Sequence, residues 1–188
     1  MSYYDDPENV KQYMEMCAGY DGNNIYQLLL QHLPKLASVL ELGSGGALDI
    51  EFLKKHYDVT GSDLSHAFLD ICQKKHPEVP FLKLDAQKLN LNHSFDCIYS
   101  NKVLHHLTPD ALRASLQQQA SALNPSGLIA HSFWLGDKSE EMHGLLFTYY
   151  NQETLLGIIS ESFEILTTLS YQEFEEDDSL FVIARLNA

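Results

Sequence analysis

Short apolar runs alternate along this chain with segments whose apolar residues recur at helical spacing. The first clear run ends at Leu42, and Leu48, Ile50, Phe52 and Leu53 then recur at the spacing of a helix. The same alternation continues downstream and predicts five strands, at 37–42, 57–62, 81–84, 95–100 and 128–134, with helices between them. Two further apolar runs, at 163–174 and 180–186, flank an acidic turn and predict an antiparallel terminal hairpin.

This order of elements predicts an α/β fold, a three-layer sandwich around a mostly parallel sheet. We expect one domain over 1–188, with a helical N-terminal cap at 1–34 and the core at 37–188. Within the core, 135–150 is predicted to be a lid-like segment, and the polar stretch 137–143 to be its loop. Pro80 at the start of the third strand favours an edge position, because proline cannot donate to a ladder.

Composition narrows the classes of partner. The formal net charge of −14 repels phosphate backbones and disfavours a nucleic-acid partner. The longest apolar runs are far shorter than the roughly 20 residues of a membrane span, so no membrane partner is predicted. The three cysteines, Cys17, Cys72 and Cys97, are odd in number and widely spaced. We therefore expect neither a disulfide framework nor a metal site, and we expect a reducing, cytoplasmic location.

A glycine-rich turn follows the first strand directly. Glycines at 43, 45 and 46 permit positive φ and let a ligand approach the backbone. The dinucleotide fingerprint asks for a third glycine where this chain has Leu48, and no phosphate-binding lysine follows the turn. An NAD-dependent oxidoreductase is therefore disfavoured.

Three acids stand at the ends of three successive strands. Asp63 follows Glu41 by 22 residues, and Asp85 follows Asp63 by 22 residues, which is the length of one strand–helix unit. All three are expected at one edge of the sheet, where a carboxylate suits ribose hydroxyls and another suits an exocyclic amine. The alternative is that each acid caps its own turn. Three acids at matched ends beside a glycine-rich turn favour a nucleoside site.

Five segments together resemble the motifs of class I S-adenosylmethionine-dependent methyltransferases, in particular a small-molecule branch of the type 11 kind. These segments are 41–46, 61–65, 84–86, 95–107 and 123–128. The resemblance is good from 37 to 134 and looser afterwards. It implies a Rossmann-like sheet of seven strands with the last one antiparallel. It also implies S-adenosylmethionine as cofactor, with S-adenosylhomocysteine as its product.

The resemblance also assigns roles to residues. It places the turn 43–45 under the methionine part of the cofactor, Asp63 on the ribose and Leu64 against adenine. The predicted cofactor-binding set is Glu41, Gly43, Ser44, Gly45, Asp63, Leu64, Asp85, Ala86 and Ser100. Ala47 stands where many relatives have another glycine, so we expect an adjusted turn with the site retained.

The acceptor side carries weaker signals. Asn101, His105 and His106 follow the fourth strand, and an unperturbed imidazole, with a pKa of about 6.5, can take a proton from an acceptor. The alternative is that one histidine packs against the sheet while the other is solvated. Aromatic residues that could line an acceptor pocket, or could equally be packing residues, are Tyr20, Trp134, Tyr149 and Tyr150.

The function implied is transfer of a methyl group to an O, N or S atom of a small-molecule acceptor by in-line displacement. Such chemistry depends mainly on positioning, so no catalytic triad is required. The alternative is an S-adenosylmethionine-binding regulatory or scaffold protein without transfer activity. Either a monomer or a homodimer is compatible with the sequence.

Overall fold

The computed structural model describes residues 3–187, which form a seven-stranded sheet and a separate two-stranded hairpin. The strands are β1 (Ser38–Leu42), β2 (Asp58–Asp63), β3 (Phe81–Lys83), β4 (Phe95–Asn101), β5 (Leu123–Trp134), β6 (Lys138–Met142), β7 (Leu145–Tyr149), β8 (Phe163–Tyr171) and β9 (Ser179–Leu186). The order in the sheet is β3-β2-β1-β4-β5-β9-β8. The first five strands are parallel, and β9 is antiparallel to both of its neighbours. The predicted fold class is confirmed, including β3 at an edge.

Helices connect the strands. They are α1 (Pro7–Met16), α2 (Asn23–His32), α3 (Ile50–His56), α4 (His66–Lys75), α5 (Pro109–Ser121) and α6 (Gln152–Ser160), with short 3₁₀ turns at Tyr3–Asp5 and Leu104–His106. Several begin at side-chain caps: Ser65, Thr108 and Asn151 each accept from a backbone N–H of the first turn. Among residues 3–187 no helix has both the length and the apolar character needed to cross a bilayer.

Alternation along the strands divides the core between the two faces of the sheet. In β1, Leu40 packs with residues of α5 and α6, whereas Val39 packs with residues of α2, α3 and α4. Successive side chains of a strand point to opposite faces, so each face receives its own apolar cluster. The sheet is therefore the middle of three layers.

The strand order reverses beside β1. The chain passes from β1 to β2 and β3 on one side, then returns to place β4 on the other side of β1. In open α/β sheets the carboxyl ends of the strands at such a reversal form a crevice that binds ligands. The turn that follows β1 lies at this crevice.

The segment predicted as a polar loop is a β-hairpin. Strands β6 and β7 pair in register from Lys138 with Tyr149 to Met142 with Leu145. The connecting residues, His143 and Gly144, both have positive φ, at 54° and 73°, as a two-residue type I′ turn requires. The prediction was wrong here because β6 is almost entirely polar and shows no hydrophobic alternation.

The first crossover helix begins at Ile50, two residues after Leu48, where the helical spacing of apolar residues starts. Ala47 has a φ of 56°, a left-handed conformation that glycine adopts without strain and alanine does not. Its N–H donates to the carbonyl of Ser44 at 2.7 Å, which closes the turn. The chain therefore keeps the turn with alanine by accepting a strained backbone.

Candidate active site

The glycine-rich turn exposes bare backbone at the crevice. Gly43 and Gly45 have φ of 68° and 49°, and a Cβ on Gly43 would collide with the side chain of Val103. Ser44 joins the turn to β2: its N–H donates to the carbonyl of Ser62 at 2.7 Å, and its hydroxyl accepts from the Ser62 N–H at 3.1 Å. These bonds hold the turn against the carboxyl edge of the sheet.

Asp63 ties the same turn to the end of β2. Its Oδ2 accepts from the N–H of Gly45 at 2.9 Å, and its Oδ1 accepts from the N–H of Ser65 at 2.8 Å. The side chain is 9% exposed, and burial raises its pKa while the backbone donors oppose that shift. A carboxylate offers about four lone-pair positions, so two remain in principle for ligand hydroxyls.

Residues predicted at the adenine side lie at the next strand ends. Leu64 is 52% exposed beside the buried Asp63, so its apolar side chain is open to a ligand. Asp85 accepts from the N–H of Gln87 at 2.8 Å and so caps the turn after β3. The carbonyl of Ala86 accepts from the hydroxyl of Ser115 at 2.6 Å. Glu41, Asp63 and Asp85 thus end three adjacent strands at one edge.

Asp49, at the start of α3, was missed in the sequence and is a centre of hydrogen bonding. It accepts from the hydroxyls of Tyr26 and of Tyr20, at 2.5 and 3.2 Å, and from the Nδ2 of Asn101 at 3.1 Å. Its place eight residues after Glu41, immediately behind the glycine turn, was the available signal. An acid at a helix start has an ordinary capping explanation, which concealed it.

Asn101 is fixed on the face of the sheet that α2 and α3 cover. Its Nδ2 also donates to the hydroxyl of Tyr20 at 2.6 Å, and its Oδ1 accepts from the hydroxyl of Ser132. The structure therefore brings Asn101 and Tyr20 together with Asp49. The hydrogen-bond partners of Asn101 and Tyr20 do not include His105 or His106.

His105 lies in a buried aromatic environment with no hydrogen bond. Its ring stacks on Phe147 with centroids 5.3 Å apart and meets Trp134 edge-on at 6.5 Å. It is 3% exposed, and neither ring nitrogen has a partner among the residues that the structure describes. Burial, and then the neighbouring His106 and Lys102, hold the pKa of His105 well below its ordinary value. The ring is therefore neutral at pH 7 and able to accept a proton.

His106 anchors the hairpin. Its Nδ1 lies 2.6 Å from the carbonyl of Leu146, so this nitrogen carries the proton and donates it. The hydroxyls of Thr148 and Tyr150 donate to the carbonyl of Leu107 at 3.0 and 2.9 Å. Tyr150 thus joins the hairpin to the turn that carries both histidines.

Trp134, at the end of β5, is held between a cation and an aromatic ring. The Nζ of Lys102 lies 3.3 Å from the centroid of its ring system, and Phe174 stacks on it at 5.6 Å. Burial lowers the pKa of Lys102 to about 8, against the opposing charge of Glu173. Tyr149 lies farther along the hairpin, with the Nζ of Lys138 4.6 Å from its ring centroid.

Ser100 directs its side chain into the core on the opposite face. Its hydroxyl lies 2.9 Å from Nδ1 of His131, whose Nε2 lies 2.8 Å from the amide oxygen of Gln119. An amide oxygen only accepts, so Nε2 carries the proton and Nδ1 accepts from Ser100. Only the backbone of Ser100 is then available at the crevice.

The N-terminal helices cover the glycine turn. The carbonyl of Tyr4 accepts from the hydroxyl of Ser65 at 2.6 Å, beside Asp63. Tyr13 lies against Gly45, and a Cβ on Gly46 would collide with Met14. The segment 3–16 therefore packs against the glycine turn and the start of α4.

The glycine turn, the acids at the strand ends and the N-terminal segment packed over them form a candidate ligand site at the carboxyl edge of an α/β sheet. Comparisons with known proteins give the class. The family model described as a methyltransferase domain matches residues 39–127. A curated relative from Saccharopolyspora spinosa, dTDP-4-amino-2,3,4,6-tetradeoxy-D-glucose N,N-dimethyltransferase, is 29% identical over 122 residues, 63% of this chain and 49% of that protein. An Arabidopsis thaliana tRNA (carboxymethyluridine(34)-5-O)-methyltransferase is 27% identical over 59% of this chain and 27% of its own length.

Solved structures show the same fold. A Burkholderia thailandensis 1,6-didemethyltoxoflavin-N1-methyltransferase with bound S-adenosylhomocysteine superimposes with a TM-score of 0.79 at 21% identity, covering 96% of this chain and 86% of that one. An amino pentose methyltransferase from Micromonospora echinaspora gives 0.75 at 16% identity, with 94% and 96% covered. The chain is thus similar to methyltransferases in sequence over residues 39–127, and it shares the fold of S-adenosylmethionine-dependent methyltransferases over almost its whole length. It spans about half, or less, of the curated relatives that it matches.

The residues present fit S-adenosylmethionine, the cofactor of this family. The turn offers backbone without side chains, Leu64 offers an exposed apolar surface, and Asp63 keeps acceptor capacity. Oε2 of Glu41, which is 2% exposed, has no hydrogen-bond partner among the described residues. A buried carboxylate oxygen without a partner is costly unless a ligand supplies one.

Proposed function

We propose that this protein transfers a methyl group from S-adenosylmethionine to a nitrogen, oxygen or sulfur atom of a small molecule. The observation that carries the proposal is His105, a buried, neutral and unpartnered imidazole two residues after the valine that contacts Gly43. A group of this kind is ready to accept a proton beside the cofactor turn.

The cofactor site uses residues from the first three strand ends. Asp63 holds the ribose hydroxyls, Leu64 covers the adenine, and Asp85 with Ala86 lies at the adenine edge. The backbone of 43–45, with Ser44 and Glu41, holds the methionine end. Ser100 contributes its backbone, because its hydroxyl is bonded to His131.

On the acceptor side, the chain orients the nucleophile and excludes water. When bound, S-adenosylmethionine supplies the methyl group on its sulfonium. His105 accepts the proton that the acceptor atom loses, on whichever ring nitrogen faces it. Trp134 and Phe147 confine the acceptor beside this ring. Alignment of the acceptor behind the methyl group supplies much of the rate, so one base is sufficient. Asn101 and Tyr20 hold the backbone at the end of β4, and His106 and Tyr150 hold the hairpin.

The names of the relatives favour a nitrogen acceptor, since the toxoflavin, amino sugar and amino pentose enzymes are N-methyltransferases or act on amino compounds. A tRNA acceptor, as in the plant relative, is disfavoured by the net charge of −14. The enclosed, aromatic surroundings of His105 also suit a small metabolite better than a nucleic-acid strand.

S-adenosylhomocysteine is expected to raise the melting temperature, and NAD is not. At a ligand concentration about a hundred times Kd the gain is about 2.7 kcal/mol, which corresponds to about 5–10 °C for a chain of this size. Thermal shift with each ligand at several concentrations measures it. Equal stabilisation by NAD would contradict the assignment of the cofactor.

A panel of amino sugars, heteroaromatic amines, phenols and thiols, assayed for S-adenosylhomocysteine formation, tests the transfer itself. We expect turnover with at least one nitrogen compound. Cofactor binding with no turnover across the panel would favour the alternative, a regulatory or scaffold protein.

Deleting residues 1–20 is expected to reduce the transfer rate by about tenfold or more while lowering the melting temperature only slightly. Positioning losses of this size follow when a covering element is removed. Among residues 3–20, Val10 alone belongs to the buried apolar core. Lys11→Ala, an exposed change on α1, is the control. A truncated protein that keeps both the full rate and the wild-type melting temperature would refute a role for the cap.

A further inference from the structure

Two buried acids flank the glycine turn and interact electrostatically. Glu41, in β1, is 2% exposed, and Asp49, at the start of α3, is 7% exposed. None of the ion pairs within residues 3–187 includes either of them. Two carboxylates have therefore been removed from water without a protein cation, an arrangement that is strongly unfavourable while both are ionised.

The two acids are satisfied to different degrees. Asp49 accepts three hydrogen bonds, all from neutral donors on Tyr20, Tyr26 and Asn101. Glu41 has an oxygen, Oε2, without any partner in the described part of the chain. Burial, followed by the charge of Asp49, raises the pKa of Glu41 well above its ordinary value, and burial also raises the pKa of Asp49. The pair therefore holds a proton more readily than two separate, solvated carboxylates do.

Neither acid is paired with a cation in the described part of the chain. The ionisable groups that act on the two acids come from α1, the segment before α2, α2, α4, β2, β4, β8 and the loop after β8. They are Tyr13, Tyr20, Tyr26, Cys72, Asp63, Tyr99, Tyr171 and Glu173. All of these are acidic or neutral. Two cations lie at the edge of the group: Lys102 is paired with Glu173 at 3.4 Å, and the Nζ of Lys75 donates to the carbonyl of Gly46 at 3.1 Å.

We propose that Asp49 is a second acid of the cofactor site and forms a carboxylate pair with Glu41. This pair releases a proton to solvent when the ammonium group at the amino-acid end of the cofactor binds. This inference rests on the proposed function for the identity of the cofactor. Glu41 lies two residues before Gly43 and Asp49 four residues after Gly45, so both flank the turn that the methionine end approaches. The incoming ammonium replaces the proton as the positive partner of the pair. The net charge of the two acids together with their positive partner is therefore the same before and after binding.

The consequence is a pH dependence of cofactor affinity with a defined sign. Because the pair's pKa is raised in the free protein, lower pH fills it with a proton that competes with the ammonium. Affinity should therefore rise with pH, by up to about tenfold per pH unit for one released proton, until the free pair is ionised. Above that range the affinity should level off.

Calorimetry of S-adenosylhomocysteine binding at pH 7, in phosphate, HEPES and Tris buffers, measures the proton directly, because the observed heat then varies with the ionisation enthalpy of the buffer. We expect release of about half to one proton per ligand bound. 5′-Methylthioadenosine, which keeps the adenosine and lacks the amino-acid end, should release none. Asp49→Asn should bind S-adenosylhomocysteine with a smaller proton release than the wild type, because the burial of Glu41 remains while the second charge is gone, and Glu41→Gln is a second variant of the same kind. Asp58→Asn, an exposed acid at the start of β2, is the matched control.

The outcomes separate the two proposals. Binding of S-adenosylhomocysteine by the wild-type protein without proton release would overturn the paired-acid proposal and leave the cofactor assignment intact. Equal release with 5′-methylthioadenosine would overturn it as well, since the proton would then come from elsewhere. Failure of S-adenosylhomocysteine to bind at all would overturn the proposed function, and the paired-acid proposal with it.

Discussion

Replacing His105 by glutamine is expected to lower kcat for methyl transfer by about a hundredfold or more, while the affinity for S-adenosylhomocysteine stays within about twofold. A positioned general base contributes about 10²–10⁴-fold, and glutamine keeps a polar side chain of similar reach that cannot take a proton. None of the proposed cofactor contacts uses the side chain of His105, so binding should be unaffected.

The dependence of the transfer rate on pH tests the role of His105 independently. A base acts in its neutral form, and burial holds the pKa of His105 well below 6.5. The wild-type rate should therefore stay level as pH falls through 6.5 and decline only at lower pH, and this acidic limb should disappear in His105→Gln. Steady-state rates with the acceptor found by the panel give both quantities.

The matched control is His93→Gln, the same exchange at an exposed histidine. It should change neither the rate nor the profile. A folded His105→Gln variant with the wild-type rate would show that the acceptor loses its proton without this ring, which would then be a packing residue.

Replacing Asp63 by alanine is expected to weaken S-adenosylhomocysteine binding by about tenfold to a hundredfold. Loss of a charged hydrogen-bonding partner costs roughly 1.5–3 kcal/mol. Asp63 also accepts from the N–H groups of Gly45 and Ser65, so the variant loses order in the turn as well as a ligand contact. Calorimetry gives the affinity, and the melting temperature shows whether the fold persists.

Asp58→Ala is the control for this prediction, because Asp58 begins the same strand and is exposed. It should bind as the wild type does. Unchanged affinity in a folded Asp63→Ala protein would mean that Asp63 serves only to fix the turn.

Apolar runs made the sheet predictable from sequence. A buried parallel strand must be apolar on both faces, and the runs that end at Leu42, at Ser100 and at Trp134 show this. The β6–β7 hairpin could not be found in this way, because its strands lie outside the main sheet and bury little. Its polar first strand leaves only the His143-Gly144 turn as a signal.

Some residues of the candidate site could be predicted from the sequence and others could not. Strand-end acids follow from the regular spacing of strand–helix units, so Glu41, Asp63 and Asp85 could be grouped by their spacing alone. Two adjacent histidines could not be distinguished, because which of them points into the core depends on the 3₁₀ turn at Leu104–His106. The partnership of Asp49 with Glu41 depends on how the turn folds back.

The separate hairpin bears on how such an enzyme diversifies. Within the described residues, strands β6 and β7 share no ladder with the seven-stranded sheet, and at the base of the hairpin the N–H of Tyr150 donates to the carbonyl of Trp134, the last residue of β5, at 3.0 Å. The family model ends at residue 127, before this unit begins. Mutation, lengthening or exchange of the hairpin would alter the wall over His105 without shifting the register that holds the strand-end acids. If the proposed function holds, substitutions in the β6–β7 hairpin can change which acceptor is preferred while the proposed cofactor site stays the same.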